Sequence, residues 1–162
     1  MPHEPSLAPP HEIAVTGKPF VVHEYVRWGD VDIVGIIRYD AYLRFYELAE
    51  SEMMRSTGLL YHDMVERFGV TLPRKVMHAD FLTPARLDER LEVRVTVSAL
   101  GTTSLTLNFE LFGDGGVARA VGYLVLVCVD VKSLRKQPLP AELVEKLRPY
   151  TVSTRAESVG ST

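Results

Sequence analysis

The spacing of apolar residues changes period along the chain, and each change marks an element. From Phe20 to Trp28 the chain is rich in Val, Phe, Tyr and Trp, which predicts a strand. The segment GDVDIVG (29–35), with two aspartates and two glycines, reads as a turn. The longest helical signal follows, from about Tyr39 to Thr57. Tyr42, Phe45, Tyr46, Ala49 and Met53 recur on one face, and Arg44, Glu47, Ser51 and Arg55 make the opposite stripe. Leu43, Leu48 and Met54 widen the apolar side beyond that of a surface helix, so this helix is expected to be mostly enclosed.

A short helix is predicted at about 59–68, closed by Gly69, and after it the period drops to two. Residues 70–82 read as a strand bent or interrupted at Pro73. Leu91, Val93, Val95 and Val97 alternate with Glu92, Arg94, Thr96 and Ser98. Leu105, Leu107, Phe109 and Leu111 alternate in the same way, and Gly101 between the runs fits a hairpin. Val117 to Val131 is apolar on both faces, with Ala118, Ala120 and Gly122 small on one side, and predicts a long central strand covered on both sides. Pro138 and Pro140 lead into a last short helix carrying Leu143, Val144 and Leu147. The class is α+β, one long helix against about five mainly antiparallel strands. One helix cannot cover both faces of such a sheet, so an oligomer is expected.

Composition narrows the classes. The chain has 162 residues, 46% hydrophobic and 24% charged, which suits one packed domain. Residues 1–17, with Pro2, Pro5, Pro9 and Pro10, read as a flexible leader, 18–150 as the folded unit and 151–162 as a loose polar tail. The net charge of −3 argues against a nucleic-acid partner. No apolar run reaches the ~18 residues of a membrane span and no signal peptide is legible, so the cytoplasm is the expected location. The single cysteine, Cys128, excludes an internal disulfide and CxxC zinc sites. The five histidines form no HExxH pair. Neither a metal nor a cofactor is expected.

No GxSxG elbow, Walker A loop or GxGxxG fingerprint occurs in the sequence. Cys128 reads as an inert packed thiol, and His78 as a partly buried, hydrogen-bonded imidazole. Met53 and Met54 are either core filler or the lining of an acyl pocket. Glu47 and Glu50 are either solvated helix charges or cleft residues. Lys132, Arg135 and Lys136 form either a solvated loop or a phosphate clamp. The most informative stretch is 27–46, RWGDVDIVGIIRYDAYLRFY, where an Asp- and Gly-rich turn delivers the chain into the start of the long helix. Asp32 has Val31, Ile33, Val34, Ile36 and Ile37 around it, which predicts a poorly hydrated, reactive carboxylate. The amides near Tyr39 and Asp40 lack intrahelical partners and can donate to an oxyanion. Equally, Asp30 and Asp32 can simply shape the turn and cap the helix. The residues alone leave both readings open.

This segment, with Asp30, Asp32, Gly35, Ile36, Ile37, Tyr39, Tyr42 and then LRFYELAESEMMR, resembles the hot-dog-fold acyl-CoA thioesterases of the 4-hydroxybenzoyl-CoA thioesterase type. The stretch HADFLTPARLDERLEV (78–93) resembles the strand-turn-strand that follows the helix in that family, and the likeness spans about 20–148. It implies a hot-dog fold, a long central helix wrapped by a five-stranded mainly antiparallel sheet. The activity implied is metal-free hydrolysis of acyl-CoA or acyl carrier protein thioesters, with coenzyme A only as part of the substrate. Asp32 maps to the catalytic carboxylate, as nucleophile or as base for water. The Tyr39 backbone amide maps to the oxyanion donor, and Gly35 permits the close turn. Tyr46, Met53, Met54 and Arg135 are candidate substrate contacts. The family's sites lie at subunit interfaces, which implies a homo-oligomer, a tetramer built as a dimer of dimers. Ala41 stands where many relatives carry Asn, Ile33 and Val34 where many carry Pro, Ala or Gly, and Arg38 replaces a common aromatic; these departures bear on acyl specificity. The rival readings are a hot-dog hydratase or dehydratase and a non-catalytic acyl-CoA-binding or sensing module.

Overall fold

The computed structural model describes residues 17–152. The expected leader and tail therefore lie outside the described residues, except for Gly17, Thr151 and Val152. The last two join the fold: Thr151 bridges Val97 in parallel, and the Val152 amide donates to the Val97 carbonyl at 2.9 Å.

The chain opens with β1 (Phe20–Tyr25), shorter than the predicted strand because Trp28–Asp30 curl into a 3-10 turn. After the turn segment, a 3-10 turn at Tyr39–Ala41 runs into the long helix α1 (Tyr42–Ser56), followed by α2 (Tyr61–Phe68). Pro73 divides the next run into β2 (Val70–Thr71) and β3 (Arg74–Phe81). The hairpin of β4 (Arg90–Leu100) and β5 (Ser104–Phe112) forms around Gly101, as its alternation requires. Then come β6 (Ala118–Val127), β7 (Val129–Asp130) and α3 (Ala141–Leu147). β1, β4, β5, β6 and β3 form one antiparallel sheet in that order, while β2 and β7 pair separately.

The 117–131 stretch departs from its prediction. It is two strands in two sheets, interrupted at Cys128, and β6 lies next to the edge rather than at the centre. Its outer face keeps Tyr123 37% exposed beside His78 and Val76 of the edge strand β3. The apolarity on both faces therefore does not mean that this chain covers both.

The core lies between α1 and the inner face of the sheet. Phe45, Tyr46, Ala49 and Met53 of α1 are buried together with Leu91, Val93, Val95 and Val97 of β4, and with Leu107, Phe109 and Leu111 of β5. The Tyr46 ring stacks on Phe109, with centroids 4.4 Å apart. Gly122, opposite Phe109 in the register, makes room for the Tyr46 hydroxyl; a Cβ there would collide with that hydroxyl and with the His78 carbonyl. Of the small residues read from the sequence on β6, Gly122 thus serves one aromatic ring of α1. Cys128 is buried, and burial pushes its thiol up, in keeping with an inert packed side chain.

Candidate active site at the start of the long helix

Residues 30–37 form a small hairpin at the N-terminal end of α1. Val31 bridges Ile37, the Asp32 amide donates to the Ile36 carbonyl at 2.9 Å, and the Gly35 amide donates to the Asp32 carbonyl at 3.0 Å. Gly35 closes the turn with φ of 76°, a backbone angle that strains any residue with a Cβ. The far limb is fixed to the chain near β4: Ile36 bridges Arg86, and the Ile37 amide donates to the Ala85 carbonyl at 2.9 Å.

The two aspartates differ sharply. Asp30 is buried, its carboxylate held by the Arg44 guanidinium and by the Arg27 amide at 2.8 Å. Burial alone would raise its pKa, but the hydrogen bond from Arg44, the Arg27 amide and the two charges outweigh burial and hold it below the ordinary aspartate value. Asp32 is exposed. Its Oδ1 accepts the Val34 amide at 2.9 Å and the Ile36 amide at 3.3 Å, while Oδ2 accepts nothing among the described residues. The expected dry setting is absent from the single chain because Ile33 and Val34 stand at the hairpin tip, 102% and 67% exposed, with their side chains turned outward. One oxygen shapes the turn and the other is free, so the two sequence readings of Asp32 are compatible.

Tyr39 opens the 3-10 turn that leads into α1, and its amide donates to no group among the described residues. Such an amide, at the positive end of the helix dipole, suits a developing oxyanion. It borders a cavity of about 320 Å³ lined by Ile36, Ile37, Tyr39 and Tyr42 on one side and by Phe81, Leu82, Thr83 and Pro84 on the other. Farther along α1 a larger cavity, about 570 Å³, opens between the helix and β3. Tyr46, Leu43, Glu47 and Ser51 line it from the helix, with Met77 and Leu124 from the sheet. The two cavities follow one another along the same helix and the same edge strand.

Glu50, Tyr61 and Arg74 form a polar cluster at the larger cavity. Glu50 Oε1 accepts the Arg74 Nη2 at 2.6 Å and the Tyr61 hydroxyl. Burial pushes the Glu50 carboxyl up, and the hydrogen bond and charge of Arg74 pull it only partly back. Glu50 Oε2 and the Tyr46 hydroxyl are buried without a partner among the described residues. Tyr46 therefore lines a cavity, as a substrate contact would. Met53 and Met54 do not: at 1% and 3% exposed they are core packing and line neither cavity. Arg135 is also absent from both linings; it sits exposed in the loop after β7 with Lys132 and Lys136. His78 is half exposed, 3.0 Å from Asp80 and stacked on Tyr123. Neither cavity is lined by a histidine. Among the described residues no group of three or more His, Cys, Asp or Glu could hold a metal ion, and no helix is long and apolar enough to cross a membrane.

Two partnerships escaped the sequence. Arg44 reads as one more residue of the polar helix stripe, yet it bonds Asp30 fourteen positions earlier. Arg74 drew no reading from the sequence, yet it meets Glu50 across 24 positions. Neither spacing carries a local signal; only the fold brings these pairs together.

The profile of the thioesterase-like superfamily matches residues 26–147. Among curated proteins, the acyl-CoA thioester hydrolase YbgC of Escherichia coli is 26% identical over 123 residues, 76% of this chain and 91% of that one. A 1,4-dihydroxy-2-naphthoyl-CoA hydrolase of Nostoc punctiforme is 27% identical over 131 residues, 79% of this chain and 86% of that one. Among solved structures, a 1,4-dihydroxy-2-naphthoyl-CoA thioesterase from Synechocystis superposes with a TM-score of 0.76 at 20% identity, covering 81% of this chain and 96% of that one. A Staphylococcus aureus protein solved in complex with CoA gives 0.75 at 15% identity, covering 90% and 94%. These superpositions show the hot-dog fold.

Proposed function

The chain belongs to the thioesterase-like superfamily, and from that premise we propose that it is an acyl-CoA thioesterase, hydrolysing acyl thioesters of coenzyme A, with Asp32 and the Tyr39 amide as its reacting groups. One arrangement carries the reading: the hairpin that holds Asp32, whose Oδ2 accepts nothing among the described residues, leads directly into the helix start, where the Tyr39 amide donates to nothing among the described residues and Tyr39 lines an apolar cavity. The Tyr39 amide takes the negative charge that develops on the thioester oxygen. Asp32 Oδ2 either attacks the carbonyl carbon, giving a mixed anhydride that water then cleaves, or takes a proton from the attacking water. In the base route Asp32 passes the proton taken from water to the departing sulfur as the C–S bond breaks. In the anhydride route a thiolate leaves first and takes up a proton from water, and the water that cleaves the anhydride releases the acid and restores the Asp32 carboxylate. The acyl group runs along α1 past Tyr42 towards Tyr46, where the second cavity gives it room. Acyl carrier protein thioesters are a second carrier within this reading, and the cytoplasm is its setting.

The site is completed by a second copy of the chain. Trp28, Ile33, Val34 and Tyr39 stand 81%, 102%, 67% and 76% exposed around Asp32, more apolar surface than water tolerates well at one spot. The edge strand β3 is open, with Phe81 and Leu82 about half exposed beside the smaller cavity. Covering these residues supplies the dry setting that Asp32 lacks in one chain. The reading extends to a homotetramer, a dimer of dimers, because the outer sheet face also keeps apolar surface. A hydratase or dehydratase built on histidine gains nothing from two cavities without one. The test is thiol release from a panel of straight-chain and aromatic acyl-CoAs, with mass measured in solution. Release from at least one member by an oligomer is the expected result. Binding without release by the wild-type chain would make it a sensor instead.

A further inference from the structure

Asp30 ties together the segments that carry the two proposed reacting groups. Its Oδ1 accepts Arg44 Nε at 2.8 Å, and its Oδ2 accepts Arg44 Nη2 and the Arg27 amide, the latter at 2.8 Å. Its own carbonyl accepts the Arg38 amide at 2.8 Å, one residue before Tyr39. Arg44 belongs to α1, and its Nη2 also reaches the Tyr25 carbonyl at the end of β1, 3.1 Å away. One planar guanidinium therefore fastens a strand end and the root of the hairpin to the helix whose start presents the Tyr39 amide. The pair is nearly dry on the carboxylate side, Asp30 being 8% exposed, and the fork on Oδ1 and Oδ2 fixes orientation as well as distance.

The hairpin's two limbs are held by different means. The limb Gly35–Ile37 is stitched to residues 85–87 through backbone bonds, including the Leu87 amide to the Gly35 carbonyl at 3.3 Å. Among the described residues the limb that carries Asp32 has no such neighbour. Its backbone bonds go to the other limb, and its tip, Ile33, is fully exposed. What anchors this limb to α1 is the Asp30 side chain two residues before Asp32. The geometry points to Asp30 and Arg44 as positioning residues of the thioesterase reaction, setting the Asp32 carboxylate against the Tyr39 amide. The inference rests on the function proposed above. Displacing a reacting group by ~1 Å costs about 10²-fold in rate, so loosening this tie acts on kcat more than on KM.

Arg44→Lys and Asp30→Asn in the full chain test it, with kcat, KM and Tm measured on one acyl-CoA that the wild-type protein hydrolyses. Lys keeps the charge and loses the planar fork. Each variant is expected to lose roughly tenfold or more in kcat, assayed well below its Tm, with KM within about threefold. In an Asp32→Asn background Arg44→Lys is expected to lower the remaining rate by less than about twofold, because no carboxylate is left to position. A lower Tm with unchanged kcat per folded molecule would overturn the inference and leave a merely structural ion pair. So would an equal loss with and without the Asp32 carboxylate. If Asp30→Asn does not fold, Arg44→Lys and its double variant decide alone. Wild-type protein that releases no thiol overturns the thioesterase reading and the positioning role with it. A fully active Asp32→Asn leaves the activity standing but removes Asp32 from it, and the positioning role falls too. An active wild type, a crippled Asp32→Asn and an unchanged Arg44→Lys overturn the positioning role only.

Discussion

α1 gathers two carboxylates that live under opposite conditions, Asp32 at its N-terminal end and Glu50 near its middle. Glu50 is 1% exposed, locked by Arg74 and Tyr61, with a carboxyl pushed up by burial. Asp32 is open to water, with one oxygen committed to its turn and the other free. A perturbed buried acid in a cavity is the usual flag of a functional site, and here the flag falls on the residue built into an ion pair. What sets Asp32 apart is its place: its Oδ2, without a partner among the described residues, is open to water in the hairpin that leads into the Tyr39 amide, whereas the unpartnered Glu50 Oε2 is buried.

Stripping Glu50 of its cation gives the largest effect on stability. Arg74→Ala leaves a buried carboxylate unpaired. Removing one partner of a wholly buried pair costs about 3–5 kcal/mol; Arg74 is 43% exposed, which brings the expected loss to roughly 2–3 kcal/mol. Without Arg74 the Glu50 pKa lies further above its unfolded value, so the variant is least handicapped in acid. Its deficit grows as pH rises through that raised pKa and then levels off. Denaturant unfolding at several pH values between about 4 and 8 reads this directly. A deficit that shrinks with rising pH would break the contrast between the two carboxylates.

Asp30 runs with the opposite sign. Its folded pKa is lowered, so its contribution is complete above the unfolded value and is lost as pH falls towards the folded one. Asp30→Asn is expected to cost on the order of 1–2 kcal/mol at neutral pH. The gap from wild type in Tm should begin to narrow below about pH 4, the unfolded value, and close only as the wild-type carboxylate protonates at its lowered folded value. A gap that persists unchanged into acid would show that the Arg44 bond matters for shape and not for charge.

Much of this was legible before the fold. The helix, the hairpin of β4 and β5 and the interruption at Pro73 follow from period and from turn residues, because those signals are local. The Asp-Gly turn and the unpaired amide at Tyr39 follow from the same stretch of chain. Other features were not legible, for identifiable reasons. Ile33 and Val34 suggested a dry Asp32, but two apolar residues at a hairpin tip face away from the rest of the chain and leave the carboxylate open to water. Met53 and Met54 lie on the buried side of α1, and periodicity does not separate core from cavity wall. Arg44 reads as part of a polar stripe and Arg74 carries no local signal, until the fold brings each to its carboxylate. Apolarity on both faces of β6 fitted a central strand, whereas the strand lies beside the sheet edge with its outer face partly bare.

The smallest change in stability belongs to the substitution with the largest meaning. Asp32→Asn retains an Oδ1 that can accept the Val34 and Ile36 amides, and Asn suits such turns, so the Tm is expected to stay within about a degree or two of wild type. Under the proposed mechanism it removes the charge that attacks the thioester or takes the proton from water. Steady-state thiol release should then show kcat lower by at least about 10²-fold with KM little changed. A folded Asp32→Asn enzyme with wild-type kcat would contradict the account, taking Asp32 out of the reaction and returning it to the turn.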